Sequence, residues 1–553
     1  MNAGSAVHHL KIVSEASGTA SRRSGLEAAH LAPAANRSPL PQWLTLVWIA
    51  SIFALYLVHT LHLRADFPNF SPWMDYAKYT DEGWYGNAAI EHFVRGSWYV
   101  PGDFNTAAAL PVWPLLEWVV FHFTGVGIVA ARGLAIAVFG ANLLLCYWLV
   151  RSTTPEKDRQ WTALLAVTLL AASSFLYSFS RLAILEPLLT FLTLLSWLLL
   201  LRLPRLQTPF RRSLLLIVAG LVYCLMILTK TTAVFLLPSL LYLLWFPLRR
   251  DRRAFFHAAG TFAAAAAVSW GSYFFLLVRP RFLDDYKYLF YVNVYLKPTT
   301  LRGWLATFWY ALHGTLWIDR LMVPLVAVLL LYSLFRLRSL WRNPLFGAAF
   351  LAVAGYVFFI GYHNNMQPRY YAFAAVPLFL MAAIAASELL RQQRILGILA
   401  LAAIALACLL NLRQTLSFAR HPQYTFVTAA EGVTRYIDQH PNGNRLLLSI
   451  SGNDITLITG LPSICDDFGT IDLPTRIYNF RPGWYAAWNE IDAGTLQDLE
   501  TQYTLEAVAS YPAFDDPDRN LLILYKLHPL PPAQQRTLAE IEGLPPAPNT
   551  SRH

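Results

Sequence analysis

Apolar residues run almost unbroken at many places along this chain. Such runs lie near Trp43 to Leu61, Leu182 to Leu201, Leu214 to Leu228, Ala254 to Leu277, Leu321 to Phe335 and Ile395 to Leu410. A bilayer core takes about 20 helical residues to cross, and these runs come close to that length. A merely buried helix of a soluble protein would be shorter and amphipathic. The pattern predicts about eleven transmembrane helices. The first is expected near 43–61, and the rest near 128–150, 161–178, 182–201, 213–229, 233–248, 254–277, 321–337, 344–362, 371–388 and 395–412.

The connections between these runs differ in kind. Two are long, 64–127 and 279–320; the first is too aromatic and too rich in structure-breakers to be a span, yet too apolar to be a free loop. Trp73, Trp84, Trp98, Tyr99, Trp113 and Trp118 in the first predict short helices lying at the membrane interface, where amphipathic rings settle. The second holds Asp284, Asp285, Tyr286, Tyr288, Tyr291 and Tyr295, and is expected to fold over the same cavity. After Asn411 the apolar runs shrink to strand length. Strands are expected at Arg445 to Ile450, Leu505 to Tyr511 and Leu521 to Leu527, with a helix from Ala493 to Tyr503. Strands and helices in alternation predict a small α/β domain.

The expected organisation is therefore a cytoplasmic tail at 1–40, a membrane domain at 41–412, a soluble α/β domain at 413–530 and a flexible tail at 531–553. The amino-terminal segment lacks the apolar core of a cleavable signal peptide, so the first span is read as an uncleaved anchor. The fold class is a polytopic α-helical membrane protein with a small extracytoplasmic α/β domain.

Composition supports this reading and removes others. Of the 553 residues, 56% are apolar and 14% charged, where soluble domains are about one quarter charged. The net charge of +10 invites a nucleic-acid partner, but its distribution argues against one. Basic residues gather in short loops at alternate ends of the spans: Arg151, Lys157 and Arg159; Arg202 to Arg212; Arg249 to Arg253; Arg336 to Arg342; Arg391 and Arg394. Short cytoplasmic loops are rich in Lys and Arg. This predicts a cytoplasmic amino terminus and a carboxyl-terminal domain on the opposite side. Cys146, Cys224 and Cys408 fall in spans and Cys465 stands alone in the soluble part, so no disulfide framework is implied.

The chemistry-bearing residues lie at the ends of the spans away from the basic loops. Asp81 and Glu82 are adjacent, set among aromatic and small residues in Thr80-Asp81-Glu82-Gly83-Trp84-Tyr85. On a helix Asp81 shares a face with Tyr85, while Glu82 points about 100° away. Only one of the two is then expected to aim into a cavity. The bland alternative is a solvated acidic loop. Lys230 lies between two apolar spans, where it is retained either by snorkelling to the surface or by pairing with an anion. Arg369 is either an interface anchor or a two-point phosphate ligand. Glu186 pairs locally with Arg181 or serves the site, and His363 is a polar wall or a metal ligand. Acidic pairs Asp466-Asp467 and Asp515-Asp516 read as solvated turns, with no chemistry in that domain.

Five pieces in sequence resemble the C-type membrane glycosyltransferases, in particular the branch of protein O-mannosyltransferases and lipid A aminoarabinose transferases. They are Asp81-Glu82 with Tyr85; Gly96, Trp98 and Pro101; Arg132 in Ala130-Ala131-Arg132-Gly133; Leu228-Thr229-Lys230; and Pro368-Arg369-Tyr370-Tyr371. The chain departs from the branch at Leu110-Pro111-Val112-Trp113-Pro114, where paired prolines are usual, and at Glu186, where an Asp is common. The resemblance implies a GT-C-like fold and inverting transfer of a sugar from a polyprenyl-phosphate donor to a lipid, glycan or protein acceptor. It implies a bacterial inner-membrane enzyme working on the periplasmic side among membrane lipids. Asp81 and Glu82 would be catalytic, with Asp81 as base. Lys230, Arg369, Tyr370 and Arg132 would bind the donor phosphate, with Tyr85, Glu186 and His363 auxiliary. No cofactor motif appears, neither GxxxxGK[ST] nor GxGxxG after a strand, and a divalent cation is left open. The rival class is a lipid or solute transporter. Transporters tend to carry internal repeats and midplane charges, whereas the charges here gather at one face.

Overall fold

The computed structural model describes residues 41–66, 75–103, 105–292 and 295–543. The expected tail at 1–40, Trp73 and the last residues from 544 lie outside them. The membrane part begins with α1 (Gln42–His59), α2 (Asp81–Arg95), α3 (Val112–Thr124), α4 (Ile128–Thr153), α5 (Arg159–Ala172), α6 (Ser174–Phe179) and α7 (Leu185–Arg202). It continues with α8 (Pro209–Thr229), α9 (Leu237–Leu248), α10 (Arg252–Tyr273), α11 (Leu283–Val292), α12 (Leu301–His313), α13 (Met322–Phe335), α14 (Pro344–His363), α15 (Tyr370–Gln392) and α16 (Arg394–Arg420).

Among the described residues nine helical segments are long and apolar enough to cross a membrane, and ten if the bent pair α12 and α13 is one span. Against the eleven expected, the span at 161–178 is missing, and so is that at 321–337 where α12 and α13 are counted apart. The stretch 161–178 is two pieces, α5 and α6, broken at Ser173, whose hydroxyl accepts the Leu176 N–H at 3.2 Å and caps the second. The lipid-facing spans are apolar on all sides, as a helix in hydrocarbon must be. α15 is the exception in burial, with most of its length enclosed by neighbours. Both long connections hold short helices, α2 and α3 in the first, where they were expected, and α11 and α12 in the second.

The α/β domain follows α16 directly. The boundary expected at 413 falls inside that helix, which runs on to Arg420. The change in composition marks where the chain leaves the apolar layer, not where hydrogen bonding stops. The domain holds α17 (Thr425–Gln439), β1 (Leu447–Leu448), α18 (Gly452–Thr459), β2 (Ser463–Ile464), α19 (Leu473–Phe480), β3 (Trp484–Trp488), α20 (Ala493–Leu499), β4 (Tyr503–Pro512) and β5 (Leu521–Pro529). The strand order is β2-β1-β3-β5-β4, with β1 parallel to both neighbours and the β4–β5 hairpin antiparallel.

The hairpin was legible and the rest less so. β3 is buried along its whole length, so it shows no apolar-polar alternation. Its Trp484, Ala486 and Trp488 pack with Phe426, Val433 and Ile437 of α17, while Tyr485 and Ala487 face Ile477 and Leu499 on the other side. The expected strand at Arg445 to Ile450 shrinks to two residues, and the expected helix from Ala493 ends at Leu499. Residues 531–536, assigned to the tail by sequence, are tied to the domain: the Arg536 N–H donates to the Thr501 carbonyl at 3.2 Å.

The domain is seated on the membrane part. Tyr79 belongs to the domain's own core, edge-on to Trp488 at 5.7 Å between ring centres. Asp66, just beyond α1, caps α17, accepting from Thr425 Oγ1 at 2.7 Å and the Phe426 N–H at 3.0 Å. The pair Asp515-Asp516, read as a solvated turn, is half of that: Asp516 is buried and pairs with Lys78 at 3.8 Å.

Candidate active site

Two adjacent carboxylates leave α2 in different directions, because successive helical residues are rotated by about 100°. Asp81 Oδ2 lies 2.7 Å from Arg369 Nε. Glu82 takes Arg132 with both oxygens, at 2.8 Å from Nε and 2.5 Å from Nη2, and accepts the Ala183 N–H at 2.8 Å. The remaining reach of Arg132 goes to the carbonyls of Leu63, at 2.8 Å, and Ala65. Glu82 and Arg132 thus satisfy each other and tie α2, α4 and the end of α1 together. Glu82 was expected in chemistry and Arg132 on a phosphate; in this structure each engages the other.

A buried cluster forms around Asp81. Arg369 precedes α15, and its Nη1 donates to Asp75 Oδ1 at 2.6 Å. Lys230 sits at the junction between α8 and the following turn, in extended conformation. Its Nζ pairs with Glu186 in the first turn of α7. It also lies over the Tyr370 ring at 4.5 Å, with the Arg369 guanidinium at 5.0 Å from the same ring. A carboxylate in the first turn is favoured by the helix dipole, and a cation over an aromatic face is attracted to the ring. Lys230 is therefore paired rather than snorkelling. Glu186 pairs with Lys230 and not with Arg181, which donates to Tyr177 and to the carbonyls of Leu61 and His62. Tyr85, one turn after Asp81, is half-buried against the membrane core.

Asp75, Asp81 and Glu186 are each 1% exposed or less, and Lys230 and Arg369 are 6% and 5% exposed. Three carboxylates face two cations in a desolvated place. Burial pushes the Asp81 carboxyl up to about 6, against the pull of Arg369; loss of water disfavours the charged form. Its Oδ2 sits beside Arg369 without a directed hydrogen bond, so a lone pair there stays open.

His363, the last residue of α14, is stacked on Phe359 at 5.3 Å and edge-on to Tyr295 at 4.9 Å. Among the described residues no three of His, Cys, Asp and Glu gather to hold a metal. Asp75 was missed by sequence reading. Its one signal is a lone carboxylate in the aromatic stretch Trp73-Met74-Asp75-Tyr76.

Residues 110–278 match the family of dolichyl-phosphate-mannose-protein mannosyltransferases. That stretch contains Arg132, Glu186 and Lys230. The structure aligns with ArnT from Cupriavidus metallidurans bound to undecaprenyl phosphate, at TM-score 0.60 and 13% identity, over 90% of this chain and 99% of that one. The fold is that of the GT-C membrane glycosyltransferases. The apo form of the same ArnT gives TM-score 0.60 and 13% identity over 89% and 99% of the two chains. The oligosaccharyltransferase of Archaeoglobus fulgidus in its apo form gives 0.51 and 12% over 82% and 70%. No curated protein matches the sequence. Within the GT-C fold, the cluster around Asp81 is built where the two long connections meet the ends of α7, α8 and α15.

Proposed function

We propose that this chain transfers a sugar from a polyprenyl-phosphate donor to an acceptor hydroxyl, in one inverting step with Asp81 as the base. The carrying observation is Asp81 itself: a buried carboxylate whose pKa is raised to about 6, so that it is mainly ionised at neutral pH, with one oxygen that no hydrogen bond directs elsewhere. A base whose pKa lies near the working pH is well matched to proton transfer.

In this reading the acceptor oxygen attacks the anomeric carbon as the bond from that carbon to the phosphate oxygen breaks. The hydroxyl proton passes to Asp81 Oδ2, and the electron pair leaves with the lipid phosphate. Lys230 and Arg369 carry the charge that develops on it, as preorganised cations do. The phosphate then competes with Glu186 for Lys230 and with Asp75 for Arg369. Tyr370 beneath both cations keeps them together. The undecaprenyl phosphate of the ArnT relative and the mannosyltransferase match support a lipid-linked donor.

The site belongs on the face opposite the basic loops, which in a bacterial inner membrane is the periplasm. There the acceptor is a lipid, a glycan or a protein hydroxyl. The test is purified protein in detergent with a panel of polyprenyl-phosphate sugars, reading release of lipid phosphate and the anomeric configuration of the product. Release with inversion, abolished by Asp81→Asn, is the expected result. A transporter would release no lipid phosphate from any donor, and that outcome would overturn the reading.

A further inference from the structure

We infer that the α/β domain is a working part of the site, with Asp454 as a positioning residue that fixes the first turn of α2; this rests on the role proposed for Asp81. The first amides of a helix have no partner within it. The usual remedy is a side chain at the residue before the helix. Here that residue is Thr80, whose side chain makes no capping bond. Its hydroxyl donates instead to Asp81 Oδ1 at 3.3 Å.

The missing cap arrives from 371 residues away. The Gly83 N–H donates to Asp454 Oδ1, and Asp454 is 3% exposed on α18. The helices pack against each other. Glycine at 83 is what lets them meet: a Cβ there would overlap the backbone of Asn453 and Asp454. The far end of α2 is held as well, since the Arg95 guanidinium donates to the Ser463 carbonyl of β2. Before α2, Tyr79 is locked into the domain core. The helix that carries Asp81 is thus gripped by the domain at its start, in its first turn and at its end. A misplacement of about 1 Å at a reacting group can cost about 100-fold in rate, so this grip governs turnover rather than donor binding.

Hydrogen exchange on the full-length protein, read on peptides covering 81–90, tests the grip without any substrate. Losing one buried hydrogen bond is expected to speed exchange of the first turn of α2 by roughly 5- to 30-fold in Asp454→Ala. Asp454→Asn keeps an acceptor oxygen in place and is expected to restore protection. Gly83→Ala is expected to loosen the same turn by forcing α18 away, which keeps the test decisive if Asp454→Ala does not fold. In the lipid-phosphate release assay, Asp454→Ala is expected to lower kcat about 10- to 100-fold while donor Kd stays within about two-fold, with Asp454→Asn recovering most of the loss. Wild-type protection in both Asp454→Ala and Gly83→Ala would overturn the proposal. So would an Asp454→Asn protein as loose as Asp454→Ala. A wild-type chain that releases lipid phosphate from no donor would overturn the reaction assigned to the site, while the exchange data would still decide the grip.

Discussion

Asp75 holds both the side chain and the main chain of Arg369. Its Oδ1 accepts from Nη1 at 2.6 Å, and its Oδ2 accepts the Arg369 N–H at 2.8 Å. Asp81 takes Nε on the other side. Arg369 therefore sits between two carboxylates that face it from one segment of the chain, 75–81. Asp75 is the one that positions it, because it alone engages the backbone.

Asp75→Ala removes two bonds to a buried cation but leaves Asp81 as a counter-charge. The expected loss is about 1.5–3 kcal/mol of stability, the range for hydrogen bonds to charged groups. A thermal melt in detergent checks this, with a clearly lowered midpoint expected. Asp75→Asn keeps the shape and one acceptor, and its midpoint is expected to lie between. Equal midpoints for wild type and Asp75→Ala would remove the positioning role.

Asp81 and Glu82 are expected to fail in different ways. Asp81→Asn keeps size and removes basicity, so turnover should fall by about two to four orders of magnitude with little change in the melt. Glu82→Gln instead leaves the buried Arg132 without its counter-charge, a break that costs about 3–5 kcal/mol. Its midpoint should drop first, with activity following stability. A stable but inactive Glu82→Gln protein beside an active Asp81→Asn protein would exchange the two roles.

The pH dependence has a definite sign. Asp81 is active as base only when ionised, and burial has raised its carboxyl to about 6, opposed by Arg369 and by Lys230 and assisted by Asp75 and Glu186. The apparent kcat/KM should therefore rise with pH through about 6 and level off above it. Below that point it should fall about tenfold per pH unit. An acid limb centred near 4, the ordinary carboxylate range, would argue for another base.

Lys230 and Glu186 predict a partial rescue. Lys230→Ala alone leaves Glu186 buried without its partner, so both stability and donor affinity should fall. The affinity loss is expected to be about 10- to 100-fold for a charge-assisted bond to phosphate. Adding Glu186→Gln removes the stranded charge and should return part of the melting temperature, but none of the donor affinity. Recovery of affinity in the double variant would mean that Lys230 does not meet the phosphate.

The sequence alone determined the polytopic helical fold and most of its spans, and the short helices of the first long connection. The reason is local: a residue in hydrocarbon meets the same solvent whatever its neighbours, so a run of apolar types reads as a crossing without further information. The β4–β5 hairpin was legible for a similar reason. Charges stranded between apolar runs, such as Lys230 and Arg369, were visible because nothing nearby in the chain explains them. Only the tertiary structure decided which charge meets which. Glu186 finds Lys230 rather than Arg181, Arg132 belongs to Glu82, and Asp75 and Asp454 enter from segments that the motifs do not mark. A buried charge needs a partner at hydrogen-bond distance, and that partner is chosen by how helices far apart in the chain are packed, which no short stretch of sequence records.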